Sequence, residues 1–327
     1  MTISADPTQV KAICFDRIGI PGQTKLEVAR ANGAYEFLPT VLKEFSSKQI
    51  IEEVKTAGIR GRGGAGFPTG LKWSFVPRNT GKPIYLMCNA DEGEPGTFKD
   101  RDIMRFDPHL LIEGMIMAGF ALDVHDAYIY IRGEFLHEAN VLNEAIREAY
   151  AANLLGEHIL GTDYSMNLTV HRGAGAYICG EETALIESVE GKAGRPRFKP
   201  PFPAVEGFYR CPTVVNNVET LATIPAILKF GGEWHASIGV PNNTVMKIFS
   251  VSWHVNKPGN YEVPLGTSLR TLIEEHCGGL QHGTLPKAVI PGGSSSPWLI
   301  AEQYDTPLTF DDMAKAGSMI GSGAIIV

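Results

Sequence analysis

Apolar residues recur near helical spacing across Lys48–Thr56, a segment that Ser46 and Ser47 can cap and Gly58 can stop, so a helix is predicted there. Pro83–Cys88 is a short apolar run with strand character that ends in an acidic loop, Asn89–Gly96. The pattern then predicts a helix over Pro108–Leu122, a strand over Ala127–Ile131 and an amphipathic helix over Glu138–Leu155. Asn167–Val170 reads as a further strand, followed by a glycine loop (His171–Gly180) and a helix from Glu181 to Val189. Strands alternating with helices predict an α/β layer with a mostly parallel sheet, whose ligands sit beyond the carboxyl ends of strands. A proline-rich bend, Arg195–Pro203, precedes an expected helix over Asn216–Phe230 with Pro225 inside it. From Thr244 the texture changes. Val245–Ser252 and Asn260–Val263 read as strands, Leu269–His276 as one helix, and Ala288–Ile290 leads into the turn Pro291–Ser296. That succession suits a small α+β domain of the β-grasp type.

Length and charge narrow the picture. A chain of 327 residues has room for two or three domains. Its formal charge of −7, without clustered Lys or Arg, argues against a nucleic-acid surface. The most apolar stretch, around Leu110–Phe120, is broken by Glu113, Gly114 and Gly119, so a buried helix is expected and no membrane insertion. Five cysteines (Cys14, Cys88, Cys179, Cys211, Cys277) form no C-x-x-C pair, which removes the usual zinc and iron–sulfur spacings. Their odd number and the lack of a signal peptide predict a reducing, cytoplasmic setting and no metal ligands. The 36 glycines are bunched, as expected where backbone approaches a ligand.

Gly61, Gly63 and Gly66 spell G-x-G-x-x-G, but the preceding segment reads as a helix, so the ordinary dinucleotide turn fails on context. Backbone N–H groups there can still approach an anion or a flat ring, with Arg62 and Lys72 to neutralise phosphate; a tight turn is the plainer reading. Asp91, Glu92 and Glu94 crowd three carboxylates behind a strand, where ligand hydroxyls, amides or cations would offset their repulsion. A solvated acidic loop is as good a reading of that loop alone. Gly173, Gly175 and Gly180 lead into Glu181 and Glu182 at a helix start, a place that suits acidic residues for structural reasons as well as ligand ones. Tyr177 can pack on a ring or on the core. Asn216 and Asn217 can cap a helix or hold polar oxygens, and Phe67, Phe75 and Phe202 can stack on a flat ring.

Together, Gly61–Lys72, Asn89–Gly96, Gly173–Leu185 and Val215–Thr220 resemble, in order, the NADH-binding flavoprotein (51-kDa) subunit of respiratory complex I. The resemblance implies a Rossmann-like FMN- and NADH-binding domain over residues 71–240, after an N-terminal segment (1–70) carrying the glycine loop. A ubiquitin-like β-grasp domain of SLBB type over 241–327 would follow. It implies an FMN set of Gly61, Arg62, Gly63, Lys72, Asn89, Asp91, Glu92, Tyr177, Gly180, Glu181, Glu182, Val215, Asn216 and Asn217. The NADH set would be Gly64, Ala65, Phe67, Phe75, Glu94, Glu182, Lys199 and Phe202, with Gly66 completing the loop. Hydride would pass from nicotinamide to flavin, with Glu94 and Glu182 tending the reaction: Glu94 selecting NADH over NADPH, Glu182 near both nucleotides.

Implied partners are a [2Fe–2S]-bearing small subunit and the iron–sulfur large subunit of a peripheral arm on the cytoplasmic side of the inner membrane. Family members continue into a helical bundle with one [4Fe–4S] cluster. None of the five cysteines matches that motif, so the expectation is a chain without the bundle or the cluster. The alternatives are the flavin subunit of an NAD-linked hydrogenase or formate dehydrogenase, and a silent scaffold for assembly.

Overall fold

The computed structural model describes residues 10–283 and 285–327; residues 1–9 of the expected N-terminal segment lie outside them. Helices α1 (Leu26–Ala31) and α2 (Leu38–Glu44) lead to α3 (Ser47–Ala57). Ser46 caps α3 in a reciprocal exchange with Gln49, and Gly58 closes it at φ 68°, a left-handed conformation that glycine takes without strain. The glycine-rich stretch then doubles back as a hairpin, with Gly61 N donating to Phe67 O at 2.8 Å and Thr69 N to Ile59 O at 2.9 Å. Helix α4 (Thr69–Ser74) follows, so G-x-G-x-x-G joins two helices rather than a strand and a helix.

The α/β layer is built from β1 (Ile84–Ala90), α5 (Lys99–Phe106), α6 (Pro108–Leu122), β2 (Val124–Ile131), α7 (Leu136–Ala151), β3 (Asn167–Arg172), α8 (Glu182–Val189), β4 (Thr213–Asn217) and α9 (Val218–Phe230). All four strands run parallel in the order β3-β2-β1-β4. The chain therefore leaves β1 to one side for β2 and β3 and returns on the other as β4. A crevice opens beyond the carboxyl ends of strands at such a reversal.

Two departures from the expected elements bear on the cleft. The helix expected from Asn216 begins at Val218 instead, because Thr213–Asn217 is a buried strand paired with β1 and Asn217 serves as the helix cap. Helix α5 gave no apolar signal: its buried side includes Lys99 and Asp100 beside Ile103 and Met104. Helices α6 and α9 cross closely. Pro225 has no N–H for the Leu221 carbonyl one turn back, and that oxygen lies only 2.0 Å from where a Cβ on Gly114 would stand.

After α10 (Gly232–Ala236) and a short ribbon of β5 (Gly239–Val240) and β6 (Asn243–Thr244) comes the second sheet. Its centre, β7 (Met246–Ser252), pairs antiparallel with β8 (Gly259–Pro264). Helix α11 (Leu269–Thr271) passes into π-helical turns over Leu272–His276, so the expected single helix is wider in its second half. Next come the small ribbon β9 (Ala288–Val289) with β10 (Leu299–Ile300), then α12 (Phe310–Lys315), and β11 (Ala324–Ile326) closes the sheet parallel to β7.

Two principal hydrophobic cores result. One runs from Cys14 to Ile248 and joins α2 and α3 to the parallel sheet; the other takes Phe249 to Ile325. Their division falls inside β7. No helix among the described residues is long and apolar enough to cross a membrane.

Candidate functional site

A cleft of about 380 Å³ lies at the reversal between β1 and β4. Its walls bring together Arg62, Gly63, Gly64 and Ala65 from the hairpin, Asn89, Asp91, Glu92 and Glu94 from the acidic loop, Tyr177, Gly180 and Glu181 from the second glycine loop, and Asn217 from β4. Sequence motifs far apart in the chain thus meet at one crevice.

The acidic loop resolves its own repulsion, and each carboxylate does so differently. Glu92 is buried and accepts from the backbone N–H groups of Asp100 at 2.8 Å and Arg101 at 3.0 Å, so it caps the start of α5. Burial, with Asp100 beside it, pushes the Glu92 pKa upward against Lys99 and those two donors. Glu94 accepts from the Tyr177 hydroxyl, from Ser295 N at 2.8 Å and from Ser294 Oγ at 3.2 Å. Burial would raise its pKa, but these hydrogen bonds outweigh it and hold the carboxyl below its usual range. Asp91 is left over. Its Oδ2 is buried with no hydrogen-bond partner in the protein, and burial pushes its pKa up to about 6.

Arg62, another lining residue, also carries unpaired atoms. It is 1% exposed; its Nη2 donates to Met246 O at 2.8 Å, while Nη1 and Nε have no hydrogen-bond partner in the protein. Gly180 lies beside Asp91, where an added Cβ would stand 3.8 Å from the orphaned Oδ2, and Gly64 holds φ +126°. One unsatisfied acceptor, one unsatisfied cationic donor and glycines that leave room between them fit a ligand carrying hydroxyls and an anionic group. FMN, with its ribityl chain and phosphate, has that chemistry.

Other expected site residues stand around the cleft, joined to it through Glu181. Lys72, Glu182, Lys199 and Glu181 form a chain of ion pairs: Lys72 Nζ to Glu182 Oε2 at 3.1 Å, Lys199 Nζ to Glu182 Oε1 and to Glu181 Oε1 at 2.9 Å each. Glu181 also caps α8 through Thr183 N and Ala184 N, so the structural reading of that residue holds alongside any other. Burial would raise the Glu182 pKa, but Lys72 and Lys199 outweigh it and keep the carboxyl low. Val215 contributes its carbonyl to Lys72 at 3.1 Å, and Asn216 accepts from Trp73 Nε1 at 2.8 Å, turned away from the cleft. Gly61 and Gly66 serve the hairpin; a Cβ on Gly66 would lie 2.4 Å from the Phe310 ring. Phe67 and Phe75 form an exposed pair with ring centroids 6.1 Å apart. Phe202 is also exposed, but among the described residues no ring contact joins it to that pair.

The floor carries residues that sequence reasoning passed over. Lys99 Nζ lies 2.7 Å from Asp100 Oδ1 and 2.8 Å from Glu219 Oε2, and Asn217 Nδ2 donates to Asp100 Oδ2 at 2.6 Å. Arg62 Nε and Lys247 Nζ stand 3.7 and 3.9 Å from the Glu219 carboxylate. Lys99 and Asp100 open α5, Glu219 lies in the first turn of α9, and Lys247 interrupts an apolar run on β7, so hydropathy gave no sign of a site. The far wall is also unannounced. Gly292, Ser295, Met319, Gly321 and Ser322 line the cleft from the second sheet's side, though Pro291–Ser296 was legible as a turn. Among the described residues no group of His, Cys, Asp or Glu is arranged to hold a metal ion.

Residues 54–226 match the Nuo51 FMN-binding domain family, and residues 248–295 match the SLBB domain. Over 279 residues the chain is 58% identical to the F subunit of the NADH-quinone oxidoreductase of Rickettsia felis, covering 85% of this chain and 66% of that protein. The F 2 subunit of the NADH-quinone oxidoreductase of Rhizobium meliloti is 51% identical over 315 residues, 96% of this chain and 75% of its own length. Among solved structures, that of an NAD+-reducing [NiFe]-hydrogenase in the H2-reduced state superposes with a TM-score of 0.78 at 39% identity, over 90% of this chain and 50% of that one. The air-oxidized state gives 0.76 at 41% identity, over 86% of this chain and 46% of that one. The chain spans about two thirds of the length of the Rickettsia relative. With the cleft at the strand reversal and the second sheet behind it, the chain belongs to the Nuo51 FMN-binding family, carrying an SLBB domain after its parallel sheet.

Proposed function

We propose that this chain is the flavin-bearing, NADH-oxidising module of an NADH-quinone oxidoreductase. The observation that carries the reading is the cleft itself: an orphaned Asp91 oxygen, an orphaned Arg62 nitrogen and glycine-lined space at the strand reversal of a Nuo51-family fold. FMN held there would supply a hydride acceptor for NADH and a single-electron donor to iron–sulfur acceptors. The protein's part is to bind and orient. Asp91 and Asn89 would take ribityl hydroxyls, and Arg62 with the Gly63–Ala65 backbone would take the phosphate. The ion pairs of Lys72 and Lys199 keep Glu182 charged beside the cleft, and the exposed Phe67–Phe75 pair offers a stacking surface for adenine. Its partners would be a [2Fe–2S]-bearing small subunit and the iron–sulfur large subunit of a peripheral arm on the cytoplasmic face. The curated relatives favour quinone over hydrogen as the other end of the chain.

Purified protein should carry or take up FMN, seen as flavin absorbance, and should reduce ferricyanide with NADH. A colourless protein that cannot be reconstituted would overturn the reading in favour of a silent scaffold.

Two residue-level results follow. Burial pushes the Asp91 pKa up to about 6, with Arg132 drawing it down and Glu134 raising it. Hydroxyl donors stabilise the charged carboxylate, so FMN binding releases a proton and weakens as pH falls through about 6. In Asp91→Asn the Asp91 share of this dependence should be lost, leaving that of the FMN phosphate, which itself titrates at about 6; FMN titrations between pH 5 and 8 that run parallel in both proteins would refute the assignment.

Glu94→Gln should raise the NADPH-to-NADH ratio of kcat/KM by at least about tenfold, since a carboxylate and a 2′-phosphate a few ångströms apart repel by roughly 1 kcal/mol in water and roughly 4 kcal/mol near a protein surface. Unchanged NADPH kinetics with weakened NADH kinetics would argue against that role.

A further inference from the structure

We propose that the turn Pro291–Ser296 of the SLBB side is a specificity-determining element of the cleft: it positions Glu94, and through Glu94 it sets the choice between dinucleotides with and without a 2′-phosphate. This rests on the reading that Glu94 faces the adenosine ribose. Glu94 belongs to the parallel-sheet unit, yet two of the three donors to its carboxylate, Ser294 Oγ and Ser295 N, come from this turn; the third is the Tyr177 hydroxyl.

The turn is braced for such a task. Ser296 is 4% exposed, and its hydroxyl accepts from Gly292 N at 3.0 Å and donates to Gly293 O at 2.9 Å. Gly293 N is tied to β11 through Ala324 O at 2.8 Å, and Ser294 N reaches Pro95 O, next to Glu94, at 3.3 Å. Against its back lies the turn at Gly321, where a Cβ would be 2.1 Å from Gly292 O. On its front, Gly293 holds φ +100°, and a Cβ there would stand 2.5 Å from Glu94 Cγ and 2.8 Å from Oε1. Glu94 thus occupies space that exists because position 293 has no side chain. A rigid donor pair on one side and Tyr177 on the other leave the carboxylate little rotamer freedom. A fixed negative charge rejects a second negative charge more sharply than a mobile one, which could swing away. Ser294, Ser295 and Gly293 are positioning residues: none needs to touch the nucleotide.

The test uses the full chain and two redox-inert probes, ADP-ribose and 2′-phospho-ADP-ribose, with dissociation constants from calorimetry and FMN content from absorbance. Gly293→Ala should shift the ratio of the two constants toward the phosphorylated probe by about fivefold to tenfold, approaching Glu94→Gln, with FMN content near that of the wild type. In the double variant Glu94→Gln/Gly293→Ala the second change should add little, because its effect runs through the carboxylate. Ser294→Ala, which leaves the backbone alone and carries the test should Gly293→Ala fail to fold, should shift the ratio by about threefold, the low end for an ordinary hydrogen bond, since Ser295 N and Tyr177 still hold the carboxylate.

If Glu94→Gln changes the ratio while the turn variants that fold keep the wild-type ratio, the turn is interdomain packing and the inference falls, with the proposed function intact. If Glu94→Gln itself leaves the ratio unchanged, the role of Glu94 and this inference fall together, and FMN binding reports separately on whether the cleft holds flavin.

Discussion

Glu219→Gln is expected to cost about 3–5 kcal/mol of stability, the range seen when one partner is removed from a buried ion cluster. Glu219 is 1% exposed and is the acidic centre for three cations with almost no access to water: Arg62 at 1%, Lys99 at 1% and Lys247 at 0%. It also accepts from Ile248 N at 2.9 Å, so it ties the start of α9 to the first strand of the second sheet. Burial alone would raise its pKa, but Lys247, Lys99 and Arg62 outweigh that and hold it below the usual carboxylate range. Burial already brings Lys247 down to about 7 against the attraction of Glu219, with Lys99 and Arg62 lowering it further. Taking away the anion leaves those cations facing one another in a desolvated space.

The sign of the pH dependence is fixed by the same argument. A carboxylate with a depressed folded pKa contributes fully above its unfolded value and loses its contribution as pH falls through the folded one. The wild type should therefore lose part of its advantage over Glu219→Gln in acid, below the ordinary glutamate range. Urea denaturation of both proteins at pH 7 and in acid checks it. A difference at pH 7 below about 1 kcal/mol, the size of an ordinary surface pair, would show that the cluster is not the buried network described.

The second large effect lies at the crossing of α6 and α9. Gly114→Ala would place a methyl group 2.0 Å from the Leu221 carbonyl oxygen and 2.8 Å from its carbon, contacts that backbone cannot yield without moving a helix. Overpacking of this kind is expected to cost about 3 kcal/mol, the upper part of the usual range. Helix α9 begins at the cleft with Asn217 as its cap, so a displaced α9 should also weaken FMN binding. Pro225 is the reason the carbonyl is free to approach Gly114. In Pro225→Ala an N–H returns to position 225 and can draw the Leu221 oxygen back into its own helix. The double variant should then be less damaged than the sum of the single ones, and a double-mutant cycle by denaturation measures the difference. Strict additivity would mean that the two residues act independently.

Gly114 and Pro225 also show where sequence reading reached and where it stopped. Both are visible as helix-disfavouring residues inside expected helices, yet nothing in either segment says that they face each other. The parallel sheet was legible because its strands are short apolar runs separated by helical periodicity, and the SLBB portion because the texture changes near Thr244. Strand β4 was not expected: Thr213–Val215 is too short a run to stand out between the proline-rich bend and the helix expected from Asn216, which took in the strand's last two residues. Helix α5 was missed because its buried positions include Lys99 and Asp100, which pair with residues more than a hundred positions away.

For the cleft, the motifs named most of the near wall. The acidic loop could be recognised as strained by its own charge, but not which carboxylate would stay unsatisfied. That depends on the α5 backbone meeting Glu92 and on Ser294 and Ser295 meeting Glu94. The second sheet's turns were invisible as site residues because glycines and serines gain their meaning there from what they stand against.

The far wall of the cleft has a consequence for how the protein comes into being. The hairpin carrying Gly63–Ala65 is made early in synthesis, whereas Met319, Gly321 and Ser322 belong to the approach to β11, which enters the second sheet in parallel beside β7. Parallel pairing of distant segments is slow to form, because the loop between them must close before any contact offsets its entropy. A nascent chain displaying the hairpin, the acidic loop and even the finished four-stranded sheet would still have a cleft open on one side. Cofactor capture is therefore set to be a late event in maturation, gated by the last strand of the second sheet.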